Sequence, residues 1–175
     1  MNALKHVTFA AGMALAPLDA GGAEPFDWQA MADERAVIRI ADAIDRAVDA
    51  RAWKLARSHF ADRVTVDFSS LSGQPPATIA SDDLVGTWAA NLKGGKTSLH
   101  LRTNHQVVIE AETATVLSNG YAWNRMEGNG DPLWEVWGTY EHHLTRSSAG
   151  WKVDGFTFRM THERGNLWVK TTPGQ

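Results

Sequence analysis

Residues 98–125 decide the fold of this chain. They read SLHLRTNHQVVIE over Ser98–Glu110 and, after Ala111-Glu112, TATVLSNGYAWNR over Thr113–Arg125. Both segments are rich in the β-branched and aromatic residues that favour strands. A break this short between two strands indicates antiparallel pairing through a tight turn. The stretch therefore predicts a long β-hairpin.

Two further segments continue the strand pattern downstream, Leu133–Thr145 and Trp151–His162. The breaks around them are rich in Gly, Asn, Asp and Ser, which are turn residues. The four segments together predict an antiparallel meander at the C-terminal end of the domain.

Upstream of the hairpin the pattern is mostly helical. Apolar residues recur at helical spacing over Met31–Val48, a short helix is predicted over Ala52–Phe60, and a third begins at Ser81 and ends before Gly94-Gly95. Between the helices, Arg63–Phe68 alternates as a strand does. Helices followed by a meander predict an α+β domain, with three helices packed on one face of a curved, mostly antiparallel sheet. The charges of the first helix are expected mostly on its other faces: Glu34, Arg35, Asp42, Asp45 and Arg46.

The two faces of the strand Ser98–Glu110 are both partly apolar. Strict alternation puts Leu99, Leu101, Val107 and Ile109 on one face, and His100, Arg102, Asn104 and Val108 on the other. Since neither face is wholly polar, the outer face of the sheet is predicted to pack against another subunit.

Composition restricts the possible functions. The 175 residues contain no cysteine, which excludes thiol nucleophiles, disulfides and cysteine-ligated metal centres. A net charge of −3 argues against a nucleic-acid binder, which would need a basic face. The length fits one domain, predicted over residues 24–175.

The N-terminal segment 1–23 is a separate case. A lysine, a short apolar run and small residues fit a secretory signal peptide, and the alternative is a disordered or docked arm. The run is too short for a membrane span. Export to the periplasm or beyond follows from the first interpretation, and a cytoplasmic location from the second.

Two positions indicate acid–base chemistry. Asp49 falls in the last turn of the first helix, where a carboxylate meets the negative end of the helix dipole. It is either a carboxylate that is solvated or paired with Arg51, or a carboxylate that orients a histidine at a pocket mouth. His100 shares a strand face with Arg102 and Asn104, and it is either a general base or a structural histidine.

Metal and nucleotide sites have no support in the pattern, so no cofactor is predicted. His142 and His143 are adjacent on a strand and point to opposite faces, so they cannot share one ion. The glycine pairs precede strands and lack the helix N-terminus that a phosphate loop needs. Tyr140 and His162 carry polar ends that need partners, which makes them candidates for a pocket lining.

The order of these motifs resembles the SnoaL-like branch of the nuclear transport factor two-like superfamily. The motifs are Val48-Asp49-Ala-Arg51, His100-x-x-x-Asn104, Gly138-Thr-Tyr140, Gly150-Trp151-Lys152 and Met160-Thr-His162. The resemblance covers about residues 32–162. It implies a cone-shaped α+β barrel around a deep apolar pocket, assembled as trimers or dimers.

The resemblance also implies a reaction class. Members include scytalone dehydratase and hexachlorocyclohexane dehydrochlorinase, lyases in which a helix Asp and a strand His form the catalytic dyad, matching Asp49 and His100 here. The dehydratase tyrosine before the dyad Asp is replaced by Val48, and the dehydrochlorinase lysine and arginine by Ile44 and Phe156. Neither named activity is therefore implied.

The sequence thus predicts a cofactor-independent lyase acting on a small apolar, aromatic substrate. Its alternatives are an isomerase or cyclase using the same dyad, and a non-catalytic binding or assembly module. The residues predicted to bind substrate oxygens are Arg102, Asn104, Tyr121, Tyr140 and His162, and those predicted to form apolar walls are Trp53, Trp88 and Phe156.

Overall fold

A computed structural model of the protein describes residues 27–175. In that range the chain forms five helices and six strands. The helices are α1 (Trp28–Asp49), α2 (Trp53–Ser58), α3 (Ser69–Ser72), α4 (Ser81–Asn91) and α5 (Leu167–Thr171). The strands are β1 (Phe60–Asp67), β2 (Ala77–Ala80), β3 (Thr97–Glu110), β4 (Thr113–Arg125), β5 (Leu133–Ser147) and β6 (Gly150–Gly165).

The six strands form one sheet in the order β2-β1-β6-β5-β4-β3. Only the β1–β6 pair is parallel, so the predicted α+β class with a mostly antiparallel sheet is confirmed. The predicted barrel closure is not found, because β2 and β3 are the two edges of an open sheet. Beyond the three predicted helices the described chain has the short helices α3 and α5. Elements of four or five residues are too short to show a periodicity in the sequence.

Helix α1 packs along the inner face of the sheet, defined here as the face towards this helix. It begins at Asp27, whose side chain accepts hydrogen bonds from the backbone N–H groups of Gln29 and Ala30 (2.9 Å each). Its apolar stripe includes Val37 and Ile44, both fully or almost fully buried. α1 contacts β3 more extensively than any other strand, so one side of the helix lies along this edge strand.

The sheet has four register shifts, and two of them are bulges next to predicted site residues. In β3 the register shifts between Thr103 and Gln106, and Asn104 lies in the left-handed region at φ 54°. In β6 the pairing jumps from His162 opposite Trp137 to Met160 opposite Gly138. Each extra residue reverses which side chains beyond it face inward. The predicted face assignments therefore hold on only one side of each bulge.

Between residues 27 and 175 no helix is long and apolar enough to cross a membrane. The predicted export segment 1–23 lies outside the residues that the structure describes.

Candidate active site

The end of α1 is fastened to the turn that precedes β3. Arg51, at φ 55°, follows the helix and donates from Nη2 to the carbonyl oxygens of Gly94 (3.0 Å) and Lys96 (2.5 Å). This contact holds the last turn of α1, which carries Asp49, beside the first residues of β3. The predicted Asp49–Arg51 ion pair is not formed, because the guanidinium binds backbone carbonyls instead.

Asp49 accepts three hydrogen bonds from β3. Its Oδ1 lies 2.7 Å from His100 Nδ1 and accepts from the Ser98 hydroxyl (2.7 Å), and its Oδ2 accepts from the His100 backbone N–H (2.8 Å). A neutral imidazole that donates from Nδ1 carries its lone pair on Nε2. His100 Nε2 makes no hydrogen bond to the residues that the structure describes. The arrangement thus leaves a basic nitrogen unoccupied.

The surroundings of Asp49 act on its pKa in two directions. Burial raises the pKa of this carboxyl, but the hydrogen bond and charge of His100 and the hydrogen bond from Ser98 lower it more. The net effect is an Asp49 pKa below its ordinary value, so the carboxylate is ionised at neutral pH. An ionised carboxylate is what orients an imidazole and stabilises its protonated form.

Two more pairs, each between a carboxylate of α1 and a basic side chain of β3, follow along the same contact. Asp45 accepts hydrogen bonds from Arg102 Nε and Nη2, and the Nη2–Oδ1 distance is 2.7 Å. Farther along, Asp42 Oδ1 lies 3.3 Å from His105 Nε2. From the first pair to the second, four residues of helix rise about 6 Å and two residues of strand about 6.6 Å, so the two pairs stay aligned. The third pair lies three residues farther along each element, beyond the β3 bulge, which adds one residue to the strand. We call these three pairs the α1–β3 ladder.

A cavity of about 210 Å³ lies between α1, α4 and the inner face of the sheet. His100, Arg102, Asp45 and Tyr140 are its charged or titratable lining groups. The rest of the lining is mainly apolar and aromatic, and includes Ile44, Val48, Phe68, Trp88, Trp134, Val136, Tyr140, Phe156 and Phe158. His100 of the dyad therefore faces a small apolar space, which suits proton transfer to or from carbon.

Tyr140 contributes a phenol to the cavity wall. Its ring lies 4.4 Å from that of Phe158, and burial raises the pKa of its phenol above the ordinary value. Gly120 on β4 makes room for this ring, because a Cβ at position 120 would lie 2.2 Å from Tyr140 Cε2. Tyr140 is thus a neutral hydrogen-bonding group at neutral pH.

The structure brings six of the ten predicted site residues together. His100, Arg102, Tyr140, Trp88 and Phe156 line the cavity, and Asp49 lies behind His100. Their catalytic or binding roles remain predictions, but their convergence on one cavity is what those roles require.

The other four predicted residues are not brought to the cavity. Tyr121 and His162 lie on the outer face of the sheet, where both rings pack at a tilt against Trp137, with centroids 5.0 and 5.4 Å away. Tyr121 is the strand neighbour of the cavity residue Ala122, so alternation turns it away, and the β6 bulge turns His162 away. Asn104 is exposed at the β3 bulge, and Trp53 packs against the core from α2.

Sequence reasoning missed several cavity residues. Asp45 was expected on a solvent-facing side of α1, yet it is buried against Arg102. The available signal was its spacing of four residues before Asp49, which places both on one helix face. Asn91 and Asn124 also line the cavity, and no local pattern distinguishes them from other surface amides.

Across residues 27–175 there is no group of three His, Asp or Glu side chains arranged to hold a metal ion. His142 is fully buried on the inner face and His143 is exposed on the outer face, as the alternation argument requires.

Solved structures with this fold are numerous, and three illustrate the range. A protein from Kribbella flavida, Kfla4162, is 23% identical over 81% of this chain and 99% of its own, with a TM-score of 0.76. A protein from Novosphingobium aromaticivorans with the provisional name scytalone dehydratase is 17% identical over 78% and 89% of the two chains, with a TM-score of 0.68. The hexachlorocyclohexane dehydrochlorinase LinA-type3 from Novosphingobium barchaimii is 15% identical over 77% and 90%, with a TM-score of 0.63.

These identities are low, so the likeness shows a common fold and leaves the substrate open. Among curated proteins none matches the sequence. A model of the SnoaL-like domain matches residues 29–157, which is most of the chain. The protein therefore belongs to the SnoaL-like family, as its motifs indicate.

Proposed function

We propose that the protein is a cofactor-independent lyase that removes water or a small fragment from a small, apolar, aromatic molecule. The observation that carries the proposal is His100, which borders the cavity while Asp49 holds its Nδ1 at 2.7 Å. The dehydratase and dehydrochlorinase names among the structural neighbours support the same general reaction class.

In the proposed mechanism His100 is the general base. Nε2 takes a proton from a carbon of the substrate, and the electrons of that C–H bond form a double bond to the neighbouring carbon. The leaving group departs from that second carbon with its bonding electron pair, and His100 returns the proton to it when the leaving group is hydroxide. Asp49 stabilises the imidazolium between the two transfers, and a base placed in this way contributes about 10²–10⁴ in rate.

The size of the cavity supports a small substrate. About 210 Å³ is less than the roughly 300–1,000 Å³ of pockets for drug-sized ligands. Trp88, Phe156 and Phe158 provide flat apolar surfaces, which favour an aromatic ring. In this proposal Tyr140 and Arg102 donate hydrogen bonds to a substrate oxygen.

The test begins with a panel of aromatic β-hydroxy carbonyl compounds, screened by mass spectrometry for the loss of one water. His100→Ala should then reduce turnover of any hit by about 10²-fold or more. His143→Ala, a histidine that also pairs with an aspartate but on the outer face, is the matched control and should keep turnover. Full activity of His100→Ala with intact circular dichroism would eliminate the base assignment.

A second candidate is an isomerase or cyclase that uses the same dyad. Asp45 occupies two nitrogens of Arg102, so no unpaired cation of the described cavity lining is ready to assist a leaving group. A reaction that expels nothing needs no such help. Products of unchanged mass but altered retention time would favour this candidate over the lyase.

The outer face of the sheet supports a proposed homo-oligomer. Its exposed apolar side chains include Leu101, Val108 and Leu117 on the two strands nearest the β3 edge. A dimer or trimer would cover them. Analytical ultracentrifugation at micromolar concentration is the test, and a monomer would contradict the proposal. Leu101→Glu should dissociate the assembly while leaving the helical content unchanged.

A further inference from the structure

The cavity contains a guanidinium whose charge is already balanced. Arg102 and Asp45 face each other through two hydrogen bonds, and their side chains are only 1% and 9% exposed. In this arrangement two parallel N–H groups of Arg102 donate to the two carboxylate oxygens of Asp45. Because both groups are shielded from water, their attraction is stronger than that of a surface pair.

Aromatic rings cover Arg102 as well. The centre of its guanidinium lies 3.6 Å from the Tyr140 ring centroid and 5.6 Å from that of Phe156. The negative faces of these rings compensate further positive charge. A bound carboxylate would have to displace Asp45 or bring a second negative charge beside it in an apolar space.

The other titratable groups give an anion no better partner. His100 is held by Asp49, whose carboxylate is ionised, so this pair carries no excess positive charge either. The Arg102–Asp45 pair, which has no net charge, still offers hydrogen-bond donors. Arg102 has five N–H groups, and Asp45 accepts from two of its nitrogens. Nη1, the third nitrogen, is buried without a hydrogen-bond partner among the described residues. A carbonyl or phenol oxygen suits such a donor without adding charge.

We propose that Asp45 is a specificity-determining residue that neutralises Arg102 and so makes the cavity select uncharged aromatic ligands over carboxylates of the same shape. The inference rests on the proposed function only in placing the ligand in this cavity. It names the charge class of the substrate, which neither the fold nor the family model specifies.

The experiment uses three probes of nearly identical shape: benzamide, benzoate and benzamidine, which are neutral, anionic and cationic at pH 7. Dissociation constants are measured by NMR titration of the full chain, with the indole signal of Trp88 reporting occupancy of the cavity. The wild-type protein should bind benzamide at least about tenfold more tightly than benzoate. None of the probes needs to react, so failure of the lyase proposal would leave this measurement interpretable.

Two single variants should change the charge preference of the cavity in opposite directions. Asp45→Asn leaves the Arg102 charge unbalanced, so benzoate should gain at least about tenfold relative to benzamide. Arg102→Gln leaves the Asp45 charge unbalanced, so benzamidine should gain instead. Either variant alone tests the proposal if the other does not fold. Asp154→Asn makes the same change in net charge on the outer face, and all three dissociation constants should stay as in the wild type.

The proposal is overturned if wild-type protein binds benzoate as tightly as benzamide, or if none of the three probes reaches the cavity. It is also overturned if both folded variants keep the wild-type order of affinities. A double variant, Asp45→Asn with Arg102→Gln, removes both charges and should retain the preference for benzamide. Loss of that preference would show that the pair acts through shape rather than through charge.

Discussion

Of the three Asp–His pairs among residues 27–175, the two shortest lie in very different surroundings. Asp49–His100 lies on the inner face, with side chains 17% and 21% exposed, and His100 borders the cavity. His143–Asp154 lies on the outer face, 46% and 31% exposed, with Nδ1 and Oδ1 2.5 Å apart and a further hydrogen bond from Thr145 (2.6 Å). The hydrogen-bond geometry is nearly the same in both. What differs is the space in front of the imidazole, so the cavity rather than the pair makes a candidate site.

The largest expected effect is the difference in turnover between variants of the two carboxylates, Asp49 and Asp154. Asp49→Asn removes the charge that stabilises an imidazolium facing the cavity, so kcat should fall by about 10²–10⁴. Asp154→Asn should leave kcat within about twofold, because its histidine faces solvent. Steady-state assays on a confirmed substrate make the comparison. Equal losses in the two variants would mean that the inner pair has no special role.

The next largest expected difference between the two pairs is their contribution to the free energy of unfolding. Asp49→Ala leaves three donors on β3 without their acceptor, and we expect it to lower the free energy of unfolding by about 2–3 kcal/mol. Asp154→Ala removes a solvent-exposed pair and should lower it by about 0–1 kcal/mol. Urea denaturation followed by tryptophan fluorescence gives both values. A larger effect for Asp154→Ala would contradict the burial argument.

The pH dependence of stability offers a finer comparison. The folded pKa of Asp49 is depressed, so its stabilising contribution is complete above the unfolded pKa and is lost as pH falls through the folded value. The stability difference between wild type and Asp49→Asn should therefore narrow as pH falls below about 4. Unfolding curves at pH 6, 5, 4 and 3 would measure it. A stability difference that stays constant down to pH 3 would contradict the lowered pKa of Asp49.

The smallest effect concerns the bulge that decides which β3 side chains belong to the inner region. Asn104 lies at φ 54°, a conformation that β-branched residues adopt poorly. Asn104→Val should destabilise the protein by about 1–2 kcal/mol, and Asn104→Gly, the matched control, should not. Differential scanning calorimetry distinguishes the two. Equal melting temperatures would show that position 104 carries no backbone strain.

Much of the fold was predictable because long segments carry strong periodic signals. Helix α1 and strands β3 to β6 are found close to their predicted bounds. The contact between Asp49 and His100 was predictable as well, because a carboxylate at a helix C-terminus is unfavourable and the order of the family motifs pointed to His100. Short elements such as α3 and β2 escaped because four residues carry no periodicity.

Two of the errors in the predicted site, at Asn104 and His162, have a common physical cause. Alternation assigns strand faces only while the pairing is regular, and the bulges at Asn104 and near Thr161 each add one residue. His162 was therefore assigned to the wrong face. The burial of Asp45 escaped for another reason: its partner Arg102 lies 57 residues away, and a charged residue on a helix is ordinarily solvated.

The ladder also bears on how the protein folds. Asp49 and His100 are 51 residues apart in the chain, so their contact forms only after a long loop closes and α1 docks on the edge strand β3. The sheet itself can pair largely through neighbouring strands, which are local contacts and form sooner. Recovery of activity during refolding should therefore lag behind recovery of β-structure, and catalysis would report the last step by which the chain becomes native.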